Sequence, residues 1–383
     1  MRKKVLVCAS TAEHLERFHL PYLAYFRQEG WEVHTASKGI PLSSDIEKAW
    51  DIPFQKELLS LGNLKQLFRL LGIFKREQYD LLLIHTSLAA AWCRLAFFRL
   101  LCPRTRLVYV CHGYFMEATS EGILKKNPRS LFYLTCERLL AGRTDLLMLM
   151  NRTDWEIARR YKLCRRPVFI NGMGLDARRY HAAGPETAAR LRKSWRAAEH
   201  TLVFLCVGEF SPRKNQLELL RAFSRLAGQA EDVRLILAGS GALEPVCRAF
   251  VQENRLEKRV HFAGQISDIS PYFCAADALV SSSRSEGLPF NIMEALYFHL
   301  PVIASRVKGH TDLIRHRENG LIYDPGNPEA LSAALQSFIR QPELRASLQE
   351  RAKLDPKYLY PNAGALIFQA LSREETERMK EHV

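Results

Sequence analysis

Short apolar runs alternate with longer amphipathic segments along the whole chain. KKVLVCAS precedes the helix-like HLPYLAYFRQEG and a second run, WEVHTAS; YDLLLIHT, RLVYVCHG and TDLLMLMN follow. The pattern restarts at Thr201 with TLVFLCVGEF, a helical stretch over Gln216–Leu226, VRLILAGSG, a helical stretch over Leu243–Asn254, then VHFAGQI, DALVSSS, PVIASRV and GLIYDP. Strand–helix–strand alternation predicts parallel, doubly wound sheets, and the restart predicts two of them. The expected division is residues 1–178 and 201–355, each a Rossmann-like domain. A Gly- and Ala-rich linker at 179–200 and a charged helical segment at 356–383 packing back on the N-terminal domain complete it.

In an open parallel sheet, ligands bind beyond the carboxyl ends of the strands. The residues there are Ser10 and Thr11, His112 and Gly113, Gly208, Glu209, Arg213 and Lys214, Gly239 and Gly241, and the stretch SSSRSEGLPFNIMEAL from Ser281 to Leu296. In that last stretch Phe290, Ile292, Met293 and Leu296 follow a helical pattern, so a helix begins near Pro289. Its free backbone N–H groups favour phosphate or sugar oxygens. Glu286 then lies in the loop before the helix and Glu294 more than one turn inside it, a spacing that suits one ligand with two polyol ends. An isolated pair of glutamates so spaced is more readily a cap and a solvated side chain; the setting at a strand end favours the ligand.

SEGLPFNIMEAL resembles the Glu-x7-Glu motif of the retaining glycosyltransferases of family 4, which have the GT-B fold: α/β, two Rossmann-like doubly wound parallel-sheet domains facing across a cleft. The resemblance extends through CHGYF (Cys111–Phe115), LMNRTDWEIA (Leu149–Ala158), INGMGLD (Ile170–Asp176), VGEFSPRKNQ (Val207–Gln216), LAGSG (Leu237–Gly241) and ENGLIYDPGNPE (Glu318–Glu329). It implies that Glu286 contacts hydroxyls of the donor sugar and Glu294 the ribose. The backbone of Gly287, Leu288, Pro289 and Phe290 would meet sugar and diphosphate, with no N–H from Pro289. Arg213 and Lys214 match the basic position that holds the diphosphate, His112 a contact to the sugar near the reacting centre, and Ile266 a place beside the nucleobase. His85 also resembles a family position, although a structural role suits it better. Two departures stand out: Glu209 occupies a position that is often Arg, and Ser10-Thr11-Ala12, followed by His14 and His19, stands where the family commonly has two glycines.

The implied activity is transfer of a hexose or N-acetylhexosamine from a nucleotide sugar, UDP-linked, to a glycan or polyprenyl-diphosphate-linked acceptor, as in bacterial capsular and exopolysaccharide synthesis. A sugar-nucleotide 2-epimerase of the same fold, or an inactive binding subunit, is the alternative. An epimerase would be expected to carry further acids or bases around the sugar, and that pattern is not found. No DxD metal motif occurs in donor context, so no metal cofactor is expected, with helix N-termini and Lys/Arg neutralising the diphosphate.

Charge adds a surface to this picture. The 383 residues carry a net charge of +14, and residues 61–170, with 19 Lys/Arg against 8 Asp/Glu, supply +11 of it. No nucleic-acid-binding module accompanies the basic residues. An anionic membrane surface is therefore the expected partner, through Arg94, Arg99, Arg104, Arg106, Lys125, Lys126 and Arg129. The helix NLKQLFRLLGIFKR is expected to pack Leu64, Leu67, Phe68, Leu71 and Phe74 on the sheet rather than in lipid. Nine cysteines without a CxxC, mostly inside apolar runs, read as free buried thiols of a reducing compartment. With no signal peptide and no apolar run of about 18 residues, the expected location is cytoplasmic, peripheral on the inner face of the cell membrane.

Overall fold

A computed structural model of the chain describes residues 2–55, 60–114, 116, 118–119, 122–123, 127–227 and 232–381. Phe115, Lys125 and Lys126 lie outside them. The chain divides into two compact units, Met1–Gly174 with Pro361–Val383, and Leu175–Tyr360.

The first unit begins with β1 (Lys4–Thr11), α1 (Ala12–Phe18), α2 (Leu20–Gln28), β2 (Glu32–Lys38) and β3 (Lys48–Asp51). It continues with α3 (Leu61–Glu77), β4 (Leu81–His85), α4 (Ser87–Ala96) and β5 (Arg106–Cys111). A small antiparallel pair, β6 (Ala118–Thr119) with β7 (Gly122–Ile123), precedes α5 (Pro128–Leu140), β8 (Leu146–Leu149), α6 (Arg152–Arg160) and β9 (Pro167–Phe169). Seven strands form one parallel sheet in the order β3-β2-β1-β4-β5-β8-β9. Every residue of β4 (LLLIH) and β5 (RLVYVC) is buried, as both faces of a helix-covered parallel strand require.

The second unit contains α7 (Pro185–Ser194), β10 (Leu202–Val207), α8 (Gln216–Ala227), β11 (Val233–Ala238), α9 (Glu244–Glu253) and β12 (Val260–Gly264). Then come α10 (Ser270–Ala275), β13 (Ala278–Ser281), α11 (Phe290–Tyr297), β14 (Val302–Ser305), α12 (His310–Leu313) and β15 (Gly320–Tyr323), closed by α13 (Pro328–Arg340) and α14 (Pro342–Arg351). Its six-stranded parallel sheet runs β12-β11-β10-β13-β14-β15. The last helix, α15 (Tyr360–Glu381), belongs with the first unit from Pro361 onward. There Phe368 stacks on Tyr25 at 3.5 Å, and Arg106 donates to the Leu371 carbonyl at 2.7 Å.

Residues 179–200 are not a bare linker. Helix α7 occupies most of the segment, and Arg192 ties it to the second unit by donating to Asp277 and to the Ala275 carbonyl, both at 3.1 Å. That helix buries none of its residues, so it leaves no apolar stripe to read.

The sheet orders locate the places where ligands bind. From β1 the chain winds outward to β2 and β3, then returns to β4 and winds the other way. The switch point of the first sheet therefore lies between β1 and β4. In the second sheet the same reversal falls between β10 and β13. The loops leaving these four strands carry the polar clusters described next.

Candidate functional site

The loop after β10 and the loop after β13 are bonded to each other. Arg284 N–H donates to the Arg213 carbonyl at 2.8 Å, and the Ser282 hydroxyl donates to the carbonyls of Lys214 (3.2 Å) and Asn215 (3.0 Å). Across this seam Glu286 faces two cations: Oε2 lies 2.7 Å from Arg213 Nη1, and Oε1 lies 2.7 Å from Lys214 Nζ. Glu286 is buried and Lys214 partly buried, whereas the Arg213 side chain is about half-exposed. Burial by itself would raise the carboxyl's pKa, but Lys214 first and Arg213 second outweigh it, so the group is held down to about 2. The carboxylate is charged at any physiological pH.

Behind Glu286 lies His310, fully buried at the start of α12. Its Nδ1 is 2.8 Å from the Ser305 carbonyl and its Nε2 3.2 Å from the Ser281 hydroxyl. Burial lowers its pKa to about 4, against the pull of Glu286, so a neutral ring backs the carboxylate. Close packing explains the neighbouring glycine: Gly309 has φ +81°, and a Cβ there would meet the Gly287 carbonyl oxygen at 2.5 Å. Across the strand ends, a Cβ on Gly239 would meet the Gly208 carbonyl oxygen at 2.1 Å.

Helix α11 starts at Phe290 with Pro289 as its N-cap, where the sequence places it. Asn291 fixes its first turn by donating to the Val207 carbonyl at the end of β10 (2.9 Å). Glu294 is buried one turn on and accepts a hydrogen bond from the Tyr180 hydroxyl at 2.7 Å. Leu288 and Pro289 are buried, Gly287 and Phe290 half-buried, and Ile266 lies half-buried in the loop after β12. The structure thus brings Arg213, Lys214 and Glu286 into contact and sets the residues through Glu294 directly after them. Glu209 is exposed, and Gln216 donates to its backbone carbonyl at 2.8 Å.

In the first unit four histidines converge at the switch point. His85 ends β4 and His112 follows β5; His14 projects from α1, and His19 sits at the junction of α1 and α2. His85 Nδ1 and His112 Nε2 are 3.2 Å apart. Ring centroids of His19 and His85 are 3.8 Å apart, those of His14 and His112 4.7 Å, and those of His14 and His19 5.1 Å. Burial lowers all four pKa values; Arg17 adds to the effect at His14, which falls to about 4, and neighbouring histidines add to it at the other three. One ring nitrogen each from His14, His19 and His112 could serve a metal ion, all within 4.8 Å of one another.

Several basic residues expected at a surface have other work. Arg94 is fully buried, with a two-pronged ion pair to Glu137 at 2.8 and 2.9 Å, and its guanidinium lies over the Tyr109 ring. Arg106 is buried against α15. Neither can meet a membrane, because a charge that deep needs its internal partner. Arg99, which pairs with Asp145, and Arg104 and Arg129 are exposed. Helix α3 is also rotated from the expected face. It buries Asn63, Gln66, Leu70, Ile73 and Phe74, and leaves Leu61, Leu64 and Phe68 outward. Asn63 turns inward because it exchanges two hydrogen bonds with the Gln55 backbone, at 2.9 and 3.0 Å.

Reading single motifs missed Tyr180, Asn291 and His310, whose partners are distant in sequence. The sequence did expose His14 and His19 but gave no sign that they meet His85 and His112.

Two families match the chain: the one described as Glycosyltransferase Family 4 over residues 15–179, and the one described as Glycosyl transferases group 1 over residues 188–355. The chain is 30% identical over 357 residues to the Bacillus subtilis (strain 168) protein named "Putative glycosyltransferase EpsD", covering 92% of each. It is 26% identical to an Escherichia coli UDP-Gal:alpha-D-GlcNAc-diphosphoundecaprenol alpha-1,3-galactosyltransferase, covering 76% of this chain and 74% of that one. Among solved structures, Anabaena Alr3699/HepE in complex with UDP superposes with a TM-score of 0.76 at 21% identity, covering 97% of this chain and all of that one.

Proposed function

The chain is a GT-B glycosyltransferase of family 4, and from that premise we propose that it transfers a hexose or N-acetylhexosamine, with retention, from a UDP-sugar to a glycan carried on a polyprenyl diphosphate. The observation that carries this reading is the contact of Glu286 with both Lys214 and Arg213 at the switch point of the second sheet. The UDP bound to the Anabaena protein and the diphosphoundecaprenol substrate of the Escherichia coli relative support the donor and acceptor classes.

Each side chain has a task in this reaction. Lys214 and Arg213 take the diphosphate, whose negative charge grows as the bond from the sugar C1 to the phosphate oxygen breaks. A unit charge pair about 4 Å apart at an effective dielectric of ~20 interacts by about 4 kcal/mol, a useful share of a barrier. Glu286 accepts hydrogen bonds from the sugar hydroxyls, and Glu294, oriented by Tyr180, accepts from the ribose. The acceptor oxygen bonds to C1 on the face the phosphate leaves, and its proton passes to the departing phosphate oxygen. The two cations and the N-terminus of α11 provide the positive charge for the diphosphate, so UDP binding needs no metal.

The acceptor's lipid carrier suits a basic, partly apolar surface on the first unit. Helices α3, α4 and α5 pack side by side in sequence. Their outer sides show Leu61 (86% exposed), Leu64, Phe68, Leu131, Phe132 and Leu139 beside the exposed Lys65, Arg69, Arg129 and Arg138. Such a face can insert apolar side chains while each near-surface cation adds about 1 kcal/mol on an anionic leaflet. Among the described residues no helix is long and apolar enough to cross a membrane.

Calorimetric titration with UDP in the presence of EDTA tests the donor site. Binding that is weakened at least tenfold by Lys214→Ala is expected; equal affinity in the variant would remove Lys214 from the diphosphate.

A further inference from the structure

We propose that the first unit holds a divalent transition metal of the zinc class, ligated by His14, His19 and His112, with a coordination position open to an incoming oxygen ligand. This inference is separate from the donor site, which lies on the other unit.

Ring nitrogens without partners point to it. Among the described residues, buried His14 Nε2, both nitrogens of His19, and His85 Nε2 have no hydrogen-bond partner. His19 and His85 are completely buried. A histidine that merely fills a core satisfies its polar atoms, since burying them unbonded is costly. Here four rings gather, and three of them, His14, His19 and His85, keep buried nitrogens without a partner.

The chemistry of the rings selects the ligand. A ring nitrogen without a hydrogen-bond partner offers a lone pair, which is what a metal takes. With only nitrogen donors and no carboxylate in the set, Zn²⁺, Co²⁺ or Ni²⁺ fits and Mg²⁺ or Ca²⁺ does not.

The geometry allows it. Three zinc–nitrogen bonds of ~2.1 Å in a tetrahedron place the nitrogens about 3.4 Å apart. The three atoms lie within 4.8 Å of one another. Small ring rotations about the soft terminal torsions close the difference. His112 keeps one nitrogen for the metal when Nε2–H donates to His85 Nδ1 at 3.2 Å, so His85 fixes the tautomer from behind. The half-exposure of His14 and His112 leaves the fourth position reachable.

The test uses the full chain without a histidine tag, stripped with chelator and titrated with Co²⁺ by visible absorption and with Zn²⁺ against a chromophoric chelator. One equivalent per chain with a tetrahedral Co²⁺ spectrum is expected. Affinity should fall more than about tenfold in His14→Ala and in His19→Ala, and should not change in His181→Ala, an exposed histidine elsewhere. If His19→Ala loses its circular dichroism, His14→Ala decides alone. Wild-type uptake well below one equivalent, or uptake unchanged by His14→Ala, would overturn the proposal and leave the cluster to sugar hydroxyls.

Discussion

Glu286 Oε1 lies 2.7 Å from Lys214 Nζ, so a buried carboxylate and a partly buried ammonium from two different strand-end loops form a pair with Arg213 at its edge. The pair gives Glu286 a structural part beside the one proposed for it at the donor sugar. Its removal therefore bears on folding as well as on turnover.

Glu286→Ala is expected to lower the thermal midpoint as well as turnover. Removing one partner of a buried ion pair costs about 3–5 kcal/mol. Glu286→Gln keeps the shape and should lose roughly one to two decades in turnover, the worth of a charged hydrogen bond made in the transition state. Melting curves and rates on both variants check this; a Gln variant with normal turnover removes Glu286 from the reaction.

The same contact predicts a pH signature. The Glu286 carboxyl, 4.5 when unpaired, is held near 2 in the folded chain. A depressed carboxyl contributes stability that is fully present above its unfolded value and is lost as pH falls through the folded one. Wild-type stability should therefore decline between about pH 4.5 and 2, and Lys214→Ala should flatten that decline. Urea unfolding across this window measures it, and parallel curves for the two proteins would refute the coupling.

Tyr180→Phe deletes the 2.7 Å hydrogen bond to Glu294 while keeping the ring beside Tyr297 and Phe298. A bond to a charged acceptor is worth about 1.5–3 kcal/mol. The donor KM should rise about tenfold with kcat nearly unchanged, because the ribose is bound alike in ground and transition states. A fall confined to kcat would contradict the ribose assignment.

Phe68→Glu on the outer side of α3 should reduce co-sedimentation with anionic vesicles without lowering the melting temperature, since Phe68 is 65% exposed. High salt should release the wild type. Equal binding to neutral vesicles, or none at low salt, would leave the charge to a soluble anionic acceptor.

The strands were legible because buried parallel strands are continuous apolar runs: LLLIH, RLVYVC and VRLILA each declare themselves. Strands β3 (KAWD) and β9 (PVF) escaped notice as short, partly exposed edge strands. Helix α3 misled because Asn63 and Gln66 turn inward while Leu64 and Phe68 turn out. Glu286, Glu294, Arg213 and Lys214 stood out by position after strands, but the ion pairs joining the first of them to the two cations depend on β10 and β13 being neighbours. The four histidines are harder still. They lie at positions 14, 19, 85 and 112, and only the winding of the first sheet brings them together.

The most direct test of the account is release of nucleoside diphosphate from a panel of nucleotide sugars by the wild type and by Glu286→Gln. The account predicts that one UDP-sugar is hydrolysed above all others and that the variant loses this activity by about one to two decades while staying folded. A folded wild type that hydrolyses no nucleotide sugar of the panel, or a variant that hydrolyses the preferred one equally fast, would contradict it.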